Sequence, residues 1–80
     1  MDIQIISSGK VGKDYQITLI LSTKRNKYKE TFYGNQDILE HYVHLIENTQ
    51  NIKAKLKFYN KLRQHCPNFK IKRIDDQSTL

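Results

Sequence analysis

The period of the apolar pattern changes at Gly34-Asn35, and that change constrains the fold more than any other feature of the chain. In residues 15–33 side chains alternate in character at every second position. In residues 37–66 apolar side chains recur every three to four positions instead. The first period belongs to strands with one buried face, and the second to helices with one buried stripe. Strands that come first and helices that follow predict an α+β fold rather than an alternating α/β one.

The elements follow from the same pattern. Residues 3–6 (IQII) are a short strand candidate. Tyr15, Ile17, Leu19 and Leu21 share one face of a second strand, with Gln16, Thr18 and Ile20 on the other. STKRN, residues 22–26, is a polar hairpin loop. In the next strand, over 27–33, Tyr28, Glu30 and Phe32 face one way, and Lys27, Lys29, Thr31 and Tyr33 the other. Asn35 or Gly34 can cap a helix over residues 37–48, with Asp37 in its first turn. Its Ile38, Leu39, Tyr42, Val43, Leu45 and Ile46 fill an arc of roughly 160°. Thr49 or Asn51 can cap a second helix over 52–65, which has its stripe at Ile52, Leu56, Tyr59, Leu62 and Cys66, widened by Ala54 and Phe58. Pro67 stops it. Residues 69–74 alternate as a last strand, with Phe69 and Ile71 inward and Lys70 and Lys72 outward.

The predicted order is β-β-β-α-α-β. It implies a small antiparallel sheet of three to four strands with two helices packed on one face. Eighty residues make one domain. It is expected over 1–74, with DDQSTL at 75–80 a frayed tail. The last strand has two possible places, beside the first strand or beside the third.

SSGKVGKD, residues 7–14, raises the question of a phosphate loop. A Walker loop needs Gly where Ser7 stands and Ser or Thr where Asp14 stands, and it leads into a helix N-terminus. This stretch leads into a strand and reads as a turn between the first two strands.

Other chemistry is equally sparse. His41, His44, His65 and Cys66 are metal-ligand types, but none of the paired spacings of structural zinc sites occurs. Asp37 with His41 and Glu40 with His44 are i,i+4 pairs on the solvent side of the first helix. His65 and Cys66 are adjacent, so on a helix they point about 100° apart and cannot act as a base and nucleophile on one group. The single cysteine fits a reducing compartment. The apolar run ITLIL is too short to span a bilayer, and MDIQII lacks the features of a signal peptide. The expectation is a cytoplasmic protein that is not an enzyme, with no cofactor, no metal and no membrane partner.

Charge is the informative property. The net charge is +6, which favours anionic partners. Residues 35–50 carry three carboxylates and no Lys or Arg, whereas residues 51–74 carry eight Lys/Arg and no carboxylate. On the second helix Lys53, Lys57 and Lys61 fall at successive i,i+4 positions, with Asn60 and Gln64 between them. Lysines at that spacing repel one another, so the stripe does not serve helix stability. Lys55 and Arg63 flank the apolar arc, where their stems can lie along it. Lys70, Lys72 and Arg73 extend the block into the last strand. Lys24-Arg25-Asn26-Lys27-Tyr28-Lys29 is a second basic spot, where Tyr28 can stack on a base.

These residues predict a surface that follows a phosphate backbone. Eleven of the fourteen basic residues are lysine, which cannot make the bidentate guanine contact of arginine, so low sequence specificity is expected. The predicted contact set is Lys53, Lys57, Asn60, Lys61, Gln64, Lys70, Lys72 and Arg73, assisted by Lys24, Arg25, Lys27 and Tyr28. The rival expectation is an adaptor or inhibitor, of phage or mobile-element type, that docks on an acidic protein. In its homodimer version, the acidic helix of one copy meets the basic helix of another. A three-stranded sheet followed by a helix is similar in architecture to small β-sheet DNA readers such as the arm-site domains of tyrosine recombinases. In those domains a basic hairpin enters the major groove. The second helix and last strand are additions to that pattern.

Overall fold

Hairpin pairing sets the frame of the computed structural model, which describes residues 1–74. The predicted tail, 75–80, lies outside the described residues. Strand β1 (Asp2–Val11) pairs antiparallel with β2 (Asp14–Ser22), and β2 pairs antiparallel with β3 (Lys27–Gly34). Helices α1 (Gln36–Glu47) and α2 (Ile52–His65) follow, and β4 (Lys70–Ile74) returns antiparallel beside β3. The sheet order is β1-β2-β3-β4. The last strand thus lies beside the third.

The first strand is longer than IQII alone predicts. Ser7, Ser8, Gly9 and Lys10 pair with Thr18, Ile17, Gln16 and Tyr15, so the stretch read as a turn is mostly strand. These residues have weak strand propensity of their own, and the strong β2 beside them supplies the hydrogen-bonding template. The turn shrinks to Gly12-Lys13, and Gly12 takes the left-handed φ of 62° that such a tight connection requires. A bulge at Ile6 shifts the register between Ile5 and Ser7 and leaves the Ile6 side chain exposed.

Each helix begins at an asparagine cap. The Asn35 side chain accepts from the Ile38 amide at 3.2 Å. The Asn51 side chain accepts from the amides of Lys53 at 2.9 Å and Ala54 at 3.2 Å. Both caps satisfy amides that have no partner within the helix.

Both helices pack on one face of the sheet, and the core lies between the layers. Ile3, Tyr15, Ile17, Leu19 and Phe32 from the strands meet Leu39, Tyr42, Ile46, Tyr59 and Leu62 from the helices. Phe69, just before β4, stacks on Phe32 with ring centroids 5.0 Å apart. Ile71 points to the helix side as predicted, opposite Glu30, yet remains 54% exposed because it sits on an edge strand. Among the described residues, no helix is long and apolar enough to cross a membrane.

Candidate anion-binding faces

Strand register decides where the basic residues go. On β3, Glu30 and Phe32 are buried against the helices, so Lys27, Lys29, Thr31 and Tyr33 project from the opposite face. Cross-strand partners share a face. Lys29 lies opposite Lys72, and Thr31 opposite Lys70. Four lysines, Lys27, Lys29, Lys70 and Lys72, therefore stand together on the side of the sheet that no helix covers. All four are exposed. Lys29, Thr31, Lys70 and Lys72 line a shallow depression with Ile71. On this face β3 and β4 present Lys27, Lys29, Thr31, Tyr33, Lys70, Lys72 and Ile74, with no carboxylate among the described residues.

The helix stripe is elsewhere. Lys53, Lys57, Asn60, Lys61 and Gln64 are exposed on α2, on the side turned away from its buried Tyr59 and Leu62. That places them on the outer surface of the helical layer. The helical layer and the sheet lie between this surface and the lysines of the open sheet face. The predicted contact set is thus divided between two sides of a thin slab. Tyr28 and Arg73 lie opposite each other on the helix side of the sheet, where Tyr28 is half-buried. Lys24 and Arg25 are exposed in the β2–β3 loop, whose shape is held by Thr23. The Thr23 amide and hydroxyl both donate to the Asn26 carbonyl, at 2.8 and 3.0 Å.

One polar constellation is marked by no motif in the sequence. Glu30 is fully buried. The Tyr59 hydroxyl reaches both of its carboxylate oxygens at 2.7 Å. Burial pushes the Glu30 carboxyl above its ordinary range, against the opposing pull of the Tyr59 hydrogen bond and the Arg63 charge. Burial and the neighbouring carboxylate also raise the Tyr59 phenol. The Arg63 guanidinium lies 4.6 Å from the Phe69 ring centroid and 5.6 Å from that of Tyr59, covering the cluster from solvent. The signal in the sequence was Glu30 standing between Tyr28 and Phe32 on an otherwise aromatic strand face.

Of the remaining reactive types Cys66 is buried, whereas His41, His44 and His65 are exposed. Cys66 is buried close to Gly34, and burial pushes its thiol up, away from the nucleophilic thiolate. A side chain at Gly34 would bring its Cβ to 3.4 Å from the Cys66 sulfur. His65 meets the Tyr42 ring at 5.4 Å, and His44 Nδ1 is 3.2 Å from the Asn48 side-chain nitrogen. Lys55 turns inward to the Ile3 carbonyl, at 3.4 Å, with Asp2 3.9 Å away. Compared with protein-family models, with curated proteins and with solved structures, the chain finds no match in any of the three, so its likeness to β-sheet DNA readers rests on the order of elements alone.

Proposed function

We propose that this chain is a small, non-enzymatic nucleic-acid-binding protein that holds the phosphate backbone with low sequence specificity. The contact surface is the open face of β3 and β4, formed by Lys27, Lys29, Lys70 and Lys72, with Lys24 and Arg25 of the adjoining loop assisting. The observation that carries this reading is the Lys29–Lys72 pairing. Like charges directly opposite each other across a sheet cost stability. Two strands that gather four lysines on one face, with no carboxylate of their own there, suit an anionic partner that neutralises them. Lysines supply point charges there without the fork of arginine, which fits backbone contact better than base reading.

The test is fluorescence anisotropy with labelled DNA and RNA, single- and double-stranded, at ~50 and ~200 mM salt, a range over which several phosphate contacts cost orders of magnitude in affinity. Binding that collapses with salt in the parent, and whose salt slope becomes shallower in Lys29→Ala/Lys72→Ala, supports the reading. Equal slopes in parent and variant refute the assigned face.

A second reading has its own observation. α1 exposes Asp37, Glu40 and Glu47, while the neighbouring α2 exposes Lys53, Lys57 and Lys61. A second copy, turned about an axis between the helices, would set acid on base, and an acidic protein could occupy the same lysines. Light scattering from low to physiological salt tests the dimer. A monomer throughout removes it.

A further inference from the structure

The open sheet face carries one aromatic ring as well as its cations. Tyr33 is the last outward-facing residue of β3 before the chain turns into α1, and it is 39% exposed. Its neighbour across the sheet is Gln16, and Thr31 stands next to it on the same face of β3. Lys70, opposite Thr31, is its diagonal neighbour on the β4 side. Diagonal positions are about 7–8 Å apart at the backbone, within reach of long and aromatic side chains. Lys29 lies four residues back along the same row, at about 14 Å by the rise of a strand. The face therefore offers a ring at one end and cations spreading away from it, at spacings that a nucleotide chain can follow.

Shape narrows the partner further. Four strands at about 4.8 Å spacing make a platform at least ~14 Å across, before side chains are added. The major groove of a DNA duplex is about 12 Å wide and admits a helix or a two-stranded ribbon. The whole four-stranded face is wider than that groove. The Tyr33 ring can stack only on a base that has left its own stack, which a single strand provides and a duplex does not.

Resting on the nucleic-acid reading above, we propose that the partner is single-stranded, with a base stacked on Tyr33 and the flanking phosphates held by Lys70, Lys29 and Lys72. Gln16 and Thr31 border the ring and offer hydrogen bonds to the base edge or sugar. The ring selects for unpaired bases, and the lysines supply affinity that does not depend on sequence.

The test compares the full chain with Tyr33→Ala, Tyr33→Phe and Lys29→Ala/Lys72→Ala. Anisotropy is read on labelled single-stranded DNA, single-stranded RNA and a duplex of the same sequence, at two salt concentrations. Tyr33 is partly exposed, and a melting curve for each variant verifies its fold. The expected result is tighter binding of the single strands than of the duplex. Tyr33→Ala should weaken single-strand binding roughly 5- to 150-fold, the range for loss of one stacked base, with little change in salt slope. Tyr33→Phe should keep most of the affinity. The DNA and RNA arms then show whether the sugar hydroxyl is used. Duplex binding as tight as single-strand binding overturns the inference, as does a Tyr33→Ala variant that binds like the parent. If Lys29→Ala/Lys72→Ala loses affinity while Tyr33→Ala does not, the inference fails and the phosphate-binding face stands. A parent that binds none of the probes at low salt removes both.

Discussion

The hydroxyl of Tyr59 on α2 stands 2.7 Å from each carboxylate oxygen of Glu30 on β3, inside the protein. One phenol carries one proton, which makes one full hydrogen bond. The second short contact is satisfied when Glu30 carries a proton of its own and donates back. The burial that raises the Glu30 pKa favours the same state. The pair ties the second helix to the third strand beneath the Arg63 guanidinium.

Removing the Tyr59 hydroxyl should therefore cost more than replacing the Glu30 carboxyl with an amide. Tyr59→Phe keeps the ring packed against Phe32, whose centroid is 6.4 Å away, but leaves a buried carboxyl without its partner. The expected loss is about 1–3 kcal/mol, the cost of an unsatisfied buried polar group. Glu30→Gln retains a neutral group that can both donate and accept, so its loss should be smaller. Urea unfolding at neutral pH checks this through the midpoint at constant slope. A Tyr59→Phe midpoint equal to the parent's would show that the hydroxyl contributes nothing.

Glu30 also sets a direction for pH dependence. Its folded-state pKa is raised above the ordinary 4.5, so between those two values the folded chain holds a proton that the unfolded chain has lost. Stability from this group is fully present below about 4.5 and falls as pH rises through the folded value. Exposed carboxylates titrate in the same region, so the quantity to measure is the difference between parent and Glu30→Gln. The parent should gain on the variant as pH is lowered from neutrality, with the gain levelling off near the ordinary carboxyl range. A difference that is flat across the whole range would mean that the Glu30 pKa is the same in the folded and unfolded chain, so that burial does not raise it.

Capping of α2 offers a third check. Its first turn contains no acidic residue and does contain Lys53, whose charge opposes the positive end of the helix dipole. Asn51 is what satisfies that end, through two amides. Asn51→Ala should cost about 1 kcal/mol. Asn51→Asp keeps an acceptor and adds a favourable charge, so it should stabilise by a few tenths of a kcal/mol or more at low salt. Thermal melts of the two variants should move in opposite directions, and movement in the same direction would contradict the assigned cap.

What could be read in advance follows from which interactions are local. The helix of residues 52–65, its asparagine cap and its stop at Pro67 depend on neighbours a few positions away, and they appear where the pattern puts them. The segregated α+β order is legible for the same reason. The pairing of β4 with β3 is not, because it is decided across two helices. The outward parity of Lys29 and Lys72 was legible, but their juxtaposition was not. Ser7–Lys10 have little strand character of their own, so only their partner in β2 reveals them. The face that Glu30 occupies follows from the parity of its strand, but its burial depends on Tyr59, twenty-nine residues further on.

The lysine pair on the open face links stability to binding in opposite senses. Lys29 and Lys72 face each other across β3 and β4, so replacing one with threonine or glutamate removes a repulsion. Lys72→Thr should raise stability by roughly 0.2–1 kcal/mol, and Lys72→Glu should fall in the same range or above it, as a like pair becomes an opposite pair. The gain should shrink as salt screens the charges, because the face is open to solvent. The same substitutions remove a phosphate contact, so nucleic-acid affinity should fall most in Lys72→Glu, and the salt slope should drop by about 0.7 per lost contact on a single strand. A set of lysines kept only as solvated surface would show the gain in stability without the loss in binding. A Lys72→Glu variant that melts higher than the parent and binds oligonucleotide equally well would therefore dissociate the four lysines from any nucleic-acid site.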